Sequence, residues 1–259
     1  MSDPNSVPPA GSAGTEPLLS SDSAAVAAKP ASWWEDFIDI FYAPATVFAR
    51  RAAAGFGIPM LVVTVALGVL FIVNSGALQP VLDGEYQRGA ASALRKNPQL
   101  TAEQMQSGRA MMEKVTKVIT FIVIPITLFL LGLTIWVVAK FFDAKISYTQ
   151  ATLIASFAYV PRVLETVING VQGLLLDPAS MNGRYRISLG VGRFFDPDVA
   201  SPMLLAIVGR IDLFTIWVTV LLVIGLAVIG KIPRSRAAIA GVIVWIIGAL
   251  PGILGAARA

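Results

Sequence analysis

Histidine and cysteine are both absent from the 259 residues, and charged side chains make up only 14% of them. Without thiols or imidazoles the chain has no disulfide staples, no thiolate nucleophile, no imidazole acid–base pair, and none of the usual zinc, haem or iron–sulfur ligands. Soluble domains carry roughly 25% charged residues, so 14% charged with 56% hydrophobic argues against a water-soluble domain. The net charge of +4 comes from 20 basic and 16 acidic residues. The basic ones are scattered rather than gathered on the face that nucleic acid requires, so no nucleic-acid partner is expected. The excess reads as membrane-topology charge, and the lipid bilayer is the first expected partner. The phosphate-loop, nucleophile-elbow and metalloprotease motifs are missing, and Asp196 and Asp198 around Pro197 lack the further oxygens of a calcium loop. Neither an enzyme nor a bound cofactor or metal is expected.

What is present is long apolar runs. Residues 1–30 are rich in Ser, Ala, Pro and Gly with one Lys and no aromatic, which reads as a disordered tail without the basic start and apolar core of a secretory signal. Residues 31–56 form an amphipathic segment in which Trp33, Trp34, Phe37, Phe41 and Phe48 alternate with acids and end at Arg50 and Arg51. Such a segment suits the membrane interface, and packing of its aromatics on a helical bundle is the equal alternative. Pro44 is expected to split it into two short helices.

A hydrocarbon layer about 30 Å thick needs about 20 apolar residues at 1.5 Å rise. Charge-free runs at 52–82, 118–139, 213–230 and 237–257 qualify, and 146–176 qualifies despite Arg162 and Glu165. The fold class predicted is therefore all-α, a polytopic five-helix bundle over residues 57–257. Its spans fall near 59–78, 118–140, 148–175, 212–230 and 237–256, with the amphipathic segment before them. Thr101 with Gln104 three residues on predicts a helix that starts at Ala102 and runs into span two. In the 177–202 loop, alternation over 184–189 suggests an extended strand, and the apolar stretch 203–210 is placed at the interface. Pro125 and Pro251 should kink spans two and five.

Span three carries the chemistry. Thr152, Ser156, Tyr159, Arg162, Glu165, Thr166, Asn169 and Gln172 recur every three or four residues and so share one polar stripe. Arg162 and Glu165, three apart, can pair, and Pro161 beside them frees a backbone carbonyl. A polar site at Arg162, Glu165, Tyr159 and Asn169 is one reading; a structural ion pair that fixes helix packing is the other. In span five, Gly241, Gly248, Gly252 and Gly255 line one face. That face serves packing within the chain or a homo- or hetero-oligomeric seam. Short basic segments at 50–51, 140–145 and 231–236 share one side if the N-terminus is cytoplasmic, although Arg88, Arg95, Lys96, Arg109, Lys114 and Lys117 load the opposite loop.

The order of an aromatic entry segment, five spans and a polar third helix resembles the Yip1 family of small multispanning membrane proteins. The residues that carry the resemblance are 40–48 (Ile-Phe-Tyr-Ala-Pro-Ala-Thr-Val-Phe), 158–161 (Ala-Tyr-Val-Pro), and Trp217 followed by Gly225-Leu226. The resemblance implies a five-span bundle with a cytoplasmic N-terminus and an extracytoplasmic C-terminus. In eukaryotic members it implies vesicle trafficking through Rab GTPases and other family members. The tail here lacks their Asp-Leu-x-Gly-Pro segment, and its Ala-rich composition is similar to the bacterial branch, which implies residence in a bacterial inner membrane. A membrane scaffold or adaptor, with the aromatic segment offered to a cytoplasmic protein partner, is the function expected. A transporter or channel component built on Arg162 and Glu165 is the alternative.

Overall fold

Prolines and polar caps divide the chain into its helices. In the computed structural model, which describes residues 32–258, Pro44 opens a second short helix: α1 spans Trp33–Asp39 and α2 spans Pro44–Arg51. Proline at a first helical position fits because its fixed φ suits the helix and its missing N–H has no partner there anyway. There follow α3 (Gly57–Asn74), α4 (Gln79–Lys96), α5 (Ala102–Lys140), α6 (Tyr148–Ala158), α7 (Pro161–Leu175), α8 (Pro202–Val208), α9 (Leu213–Ile229), α10 (Arg234–Ile247) and α11 (Leu250–Ala256). The expected tail, 1–30, lies outside the described residues.

Four helical stretches are long and apolar enough to cross a membrane: Gly57–Asn74, Glu103–Lys140, Tyr148–Leu175 and Arg234–Ala256. The fifth apolar helix, α9, has 17 residues. At 1.5 Å per residue it reaches about 26 Å, the short end of the spanning range. The protein is thus an all-helical multi-pass membrane protein with four clear spans and a fifth at the length limit.

Helix α5 begins where its cap predicts. Thr101 Oγ1 accepts from the Gln104 amide at 3.2 Å and Gln104 Oε1 accepts from the Thr101 amide at 3.0 Å. At 39 residues α5 is about 58 Å long, nearly twice the hydrocarbon thickness, so its first turns stand out of the layer beside α4. It runs unbroken through Pro125. Span five, in contrast, breaks at Gly248 and Ala249, upstream of Pro251, because Pro251 sits in the first turn of α11.

The 184–189 segment is a correction. The expected strand is a series of turns between short 3-10 turns at Pro178–Ser180 and Val191–Phe194, with a single isolated bridge, Gly190 to Asp212. A lone strand has no ladder to join, and Arg186 folds back instead to the carbonyls of Ser180 and Arg193, both at 3.1 Å. Ile187 is buried in a small cluster with Val81 and Met181, which ties the loop to α4.

The core is centred on α6, whose residues Ala151 to Ala158 are all buried. Two of them, Thr152 and Ser156, donate their hydroxyls to carbonyls one turn back, Tyr148 at 3.0 Å and Thr152 at 2.8 Å. Part of the polar stripe therefore satisfies itself within its own helix. Glycines bring neighbours close: a Cβ on Gly132 of α5 would stand 2.9 Å from Thr152 Cα, and one on Gly225 of α9 would stand 2.7 Å from Ile154 Cγ2.

The α1–α2 hairpin closes one end of this bundle. Phe37 and Phe48 both meet Phe157, at 5.8 and 6.2 Å between ring centroids, and Phe41 meets Trp217 edge-on at 5.4 Å. The hairpin is clasped by Asp36, 0% exposed, which receives Nε of Arg50 and of Arg51 at 2.5 Å each, while Arg51 lies over the Trp33 ring. Hydrogen bonds from Tyr42 and then Arg50 hold the Asp39 carboxyl below its ordinary value. Trp34 and Tyr42 remain outward, each 71% exposed. Gln150 donates to the Ala52 carbonyl at 2.9 Å and Arg236 pairs with Asp143 at 3.7 Å. The end of α2, the α5–α6 turn and the α9–α10 turn thus gather at one basic end of the bundle.

Gly132→Ala is expected to lower stability by about 1–3 kcal/mol, because the backbone of α6 must move away. Gly252→Ala, with nothing within 4 Å of the added methyl, should leave it unchanged or slightly raised. Parallel thermal unfolding of the two variants in detergent checks the contrast.

Candidate functional site

The break between α6 and α7 builds the site. Pro161 cannot donate to the preceding turn, so Tyr159 and Val160 close a tight turn in which the Arg162 amide reaches the Tyr159 carbonyl at 2.9 Å. Arg162 thereby starts a new helix and projects toward the N-terminal end of α9. Its Nη1 donates to Glu165 Oε2 at 2.6 Å and its Nη2 donates to Thr215 Oγ1 at 2.8 Å. Asp212 Oδ1 stands 3.9 Å from Nη1 and also accepts from the amides of Phe214 and Thr215, at 3.0 and 3.1 Å, as the cap of α9. A single guanidinium therefore joins Glu165 on its own helix to Thr215 of α9, 53 residues away in the chain, with Asp212 beside it.

Arg162 lies in the first turn of α7, roughly 20 Å along the span from Tyr148 at the basic end. Asp212 is at the opposite end of α9 from that basic end. The cluster therefore sits toward the far side of the hydrocarbon layer, under the 177–212 loop. There it lines a polar cavity of about 360 Å³ together with Asn169, Arg184, Arg210 and Gly248. Asn169 Oδ1 is 3.5 Å from Gln172 Nε2, which donates to the Ile187 carbonyl at 2.9 Å, so α7 also holds the loop above the cavity. Asn74 of α3 donates to the Thr166 carbonyl at 2.8 Å and fixes the same helix from its other side.

Of the expected polar set, Arg162, Glu165 and Asn169 meet at this cavity, whereas Tyr159 packs against the apolar core. The glycines of span five divide. Gly241 is pressed against Val223 of α9, and Gly248 borders the cavity, where an added Cβ would stand 3.2 Å from Arg210 Nη2. Gly252 and Gly255 have nothing within 4 Å of such an atom. Thr215, Arg184 and Arg210 were not visible as members of the site from their neighbourhoods in sequence. The available signal was Asp212, an acid directly before an apolar span.

The Yip1 domain model matches residues 38–255. The chain belongs to the Yip1 domain family. No curated protein and no solved structure matches it. In this Yip1-domain protein the three short motifs meet physically around α6. Phe41 of the entry motif packs on Trp217, Phe48 packs on Phe157 beside Gly225, and Pro161 sets the turn that aims Arg162.

Removing Arg162 strands Glu165 and the far side of Asp212 together. Arg162→Ala is expected to cost about 3–5 kcal/mol. Thr215→Val should cost about 1.5–3 kcal/mol, the range of a hydrogen bond to a charged group. Glu165→Gln should cost less than Arg162→Ala, because the guanidinium keeps Asp212 and Thr215. Unfolding midpoints of the three purified variants establish the order.

Proposed function

We propose that this Yip1-domain protein is a non-enzymatic membrane scaffold or adaptor that assembles through its last span. The observation that carries the proposal is the division of the span-five glycines: Gly241 is filled by Val223 from the same chain, whereas Gly252, which also lines the Arg162 cavity, and Gly255 have nothing within 4 Å of an added Cβ. Small residues on an uncovered membrane helix let a second helix approach closely, which is the main source of association where lipid is as apolar as leucine. Glu165 is engaged with Arg162, and Asp212 caps α9 through Oδ1. The short basic segments support a cytoplasmic basic end by the positive-inside rule, and the resemblance to the bacterial branch supports residence in a bacterial inner membrane. That orientation offers exposed Trp34, Ile38 and Tyr42 of the hairpin to a cytoplasmic protein partner.

The native chain has no cysteine, so single cysteines report cleanly. Cysteines at 252 and 255 should crosslink between chains, or to a partner in native membranes, while one at 241 should not. Absence of crosslinks at both positions in native membranes overturns the proposal.

The cavity at Arg162 and Glu165 favours a second reading, a transporter or channel component. A cysteine replacing Asn169 would then react with an impermeant thiol reagent from both sides of the membrane. Reaction from one side only removes the idea of passage.

A further inference from the structure

Four buried side-chain polar atoms lack a hydrogen-bond partner among the described residues: Thr64 Oγ1, Arg162 Nε, Arg210 Nε and Asp212 Oδ2. Three of these four belong to residues that line the cavity beneath the 177–212 loop. An unmet buried polar group costs about 1–3 kcal/mol, more when charged, and these three lie in the cavity wall with almost no accessible surface of their own, so a common occupant reaches them as the lining side chains shift. Asp212 is the clearest case, since its side chain is only 5% exposed and Oδ1 alone is engaged.

The charges around the cavity do not balance either. Among the lining residues Arg162, Arg184 and Arg210 outnumber Glu165 and Asp212 by one charge, and Glu85 outside the lining accepts from the Arg184 amide at 3.0 Å. Arg162 is paired with Glu165. Arg210 forms no ion pair among the described residues; its Nη2 donates to the Trp245 carbonyl at 3.0 Å, and the guanidinium lies 5.6 Å from the centroid of the Trp245 ring. Burial, and after it the nearby Arg162, lower the Arg210 pKa from its ordinary value, yet a guanidinium stays charged at neutral pH. Room beside it depends on Gly248 at the break between α10 and α11, where an added Cβ would crowd Arg210 Nη2 at 3.2 Å.

We infer that this cavity binds a singly charged phosphate group that also carries a hydroxyl. Its anionic oxygens accept from Nε of Arg162 and Arg210, and its hydroxyl donates to Asp212 Oδ2. Guanidinium and phosphate match in charge and geometry, and one negative charge cancels the excess. Such a group is available as a glycerol phosphodiester lipid headgroup or as free phosphate. The depth of the cavity, near the far boundary of the hydrocarbon layer and against the α10–α11 break, favours the headgroup. The inference shares its cavity with the transporter reading but requires no passage through the membrane, and although Gly252 of the span-five face lines the cavity too, the test reads lipid or phosphate binding rather than contact between chains.

The test uses the full-length protein in phosphatidylcholine nanodiscs, with phosphatidylglycerol introduced in steps or inorganic phosphate added. Phosphatidylglycerol should raise the unfolding midpoint by about 3 °C or more, and Arg210→Met should abolish most of that rise. A rise with inorganic phosphate as well, again lost in Arg210→Met, supports the same chemistry with an aqueous source. The inference is overturned if neither probe moves the midpoint, or if Arg210→Met responds as the native chain does. Should Arg210→Met not fold, the native protein exchanged from a mixed bilayer into detergent decides. Retention of phosphatidylglycerol at least about tenfold above phosphatidylcholine is expected, and equal retention refutes it.

Discussion

A helix enclosed on every side can offer its neighbours only what its own side chains leave free, and α6 sets that condition for the whole bundle. Its eight consecutive buried residues include three alanines and two hydroxyl side chains turned back onto their own helix. Those small or self-satisfied surfaces let α5 and α9 approach, and each partner answers with a glycine at the contact, Gly132 and Gly225. Where close approach is impossible, aromatic rings fill the space: Phe157 reaches the hairpin rings Phe37 and Phe48 at the basic end. The dense middle is thus continuous with the amphipathic entry segment, and the hairpin is part of the fold rather than an appendage lying on lipid.

The same constraint explains why the chain's intramembrane charge lies where it does. Were α6 to continue as a regular helix, Arg162 would emerge from a fully packed element. Pro161 ends that packing and starts a separate helix, which carries Arg162 to the first turn of α9, where an Asp cap and a Thr hydroxyl are present. A charge in this setting is tolerable because its hydrogen bonds are made within the protein rather than to lipid. The arrangement is both a brace between two spans and the wall of a polar cavity, so structural and binding roles need not compete.

The Yip1 assignment gains a physical meaning from this geometry. Its motifs lie far apart in the chain, at 40–48, 158–161 and 217–226, yet they supply the aromatic cap, the helix break and the glycine contact of one neighbourhood. Around that neighbourhood the far-side elements, α4 and the overhanging start of α5, are held by more local and more exposed interactions. Examples are the cap at Thr101 and the Arg109–Asp83 pair.

The sequence by itself determined whatever depends on length and composition within one segment. The apolar spans, the split at Pro44, the start of α5 at its capping box and the i to i+3 pairing of Arg162 with Glu165 are all set by residues a few positions apart. It was misleading at 184–189, where alternation without a partner strand has nothing to pair with and the arginine turned back onto nearby carbonyls instead. It was silent on Thr215, Arg184 and Arg210, and on which glycines of span five are filled and which are open. Those features depend on which helix faces which, and helix rotation in a bundle is settled by the fit of side chains from distant segments. Only the tertiary structure brings Arg210 and Asp212 beneath the same loop as Arg162, because the contact requires three separate spans to end or break at one level.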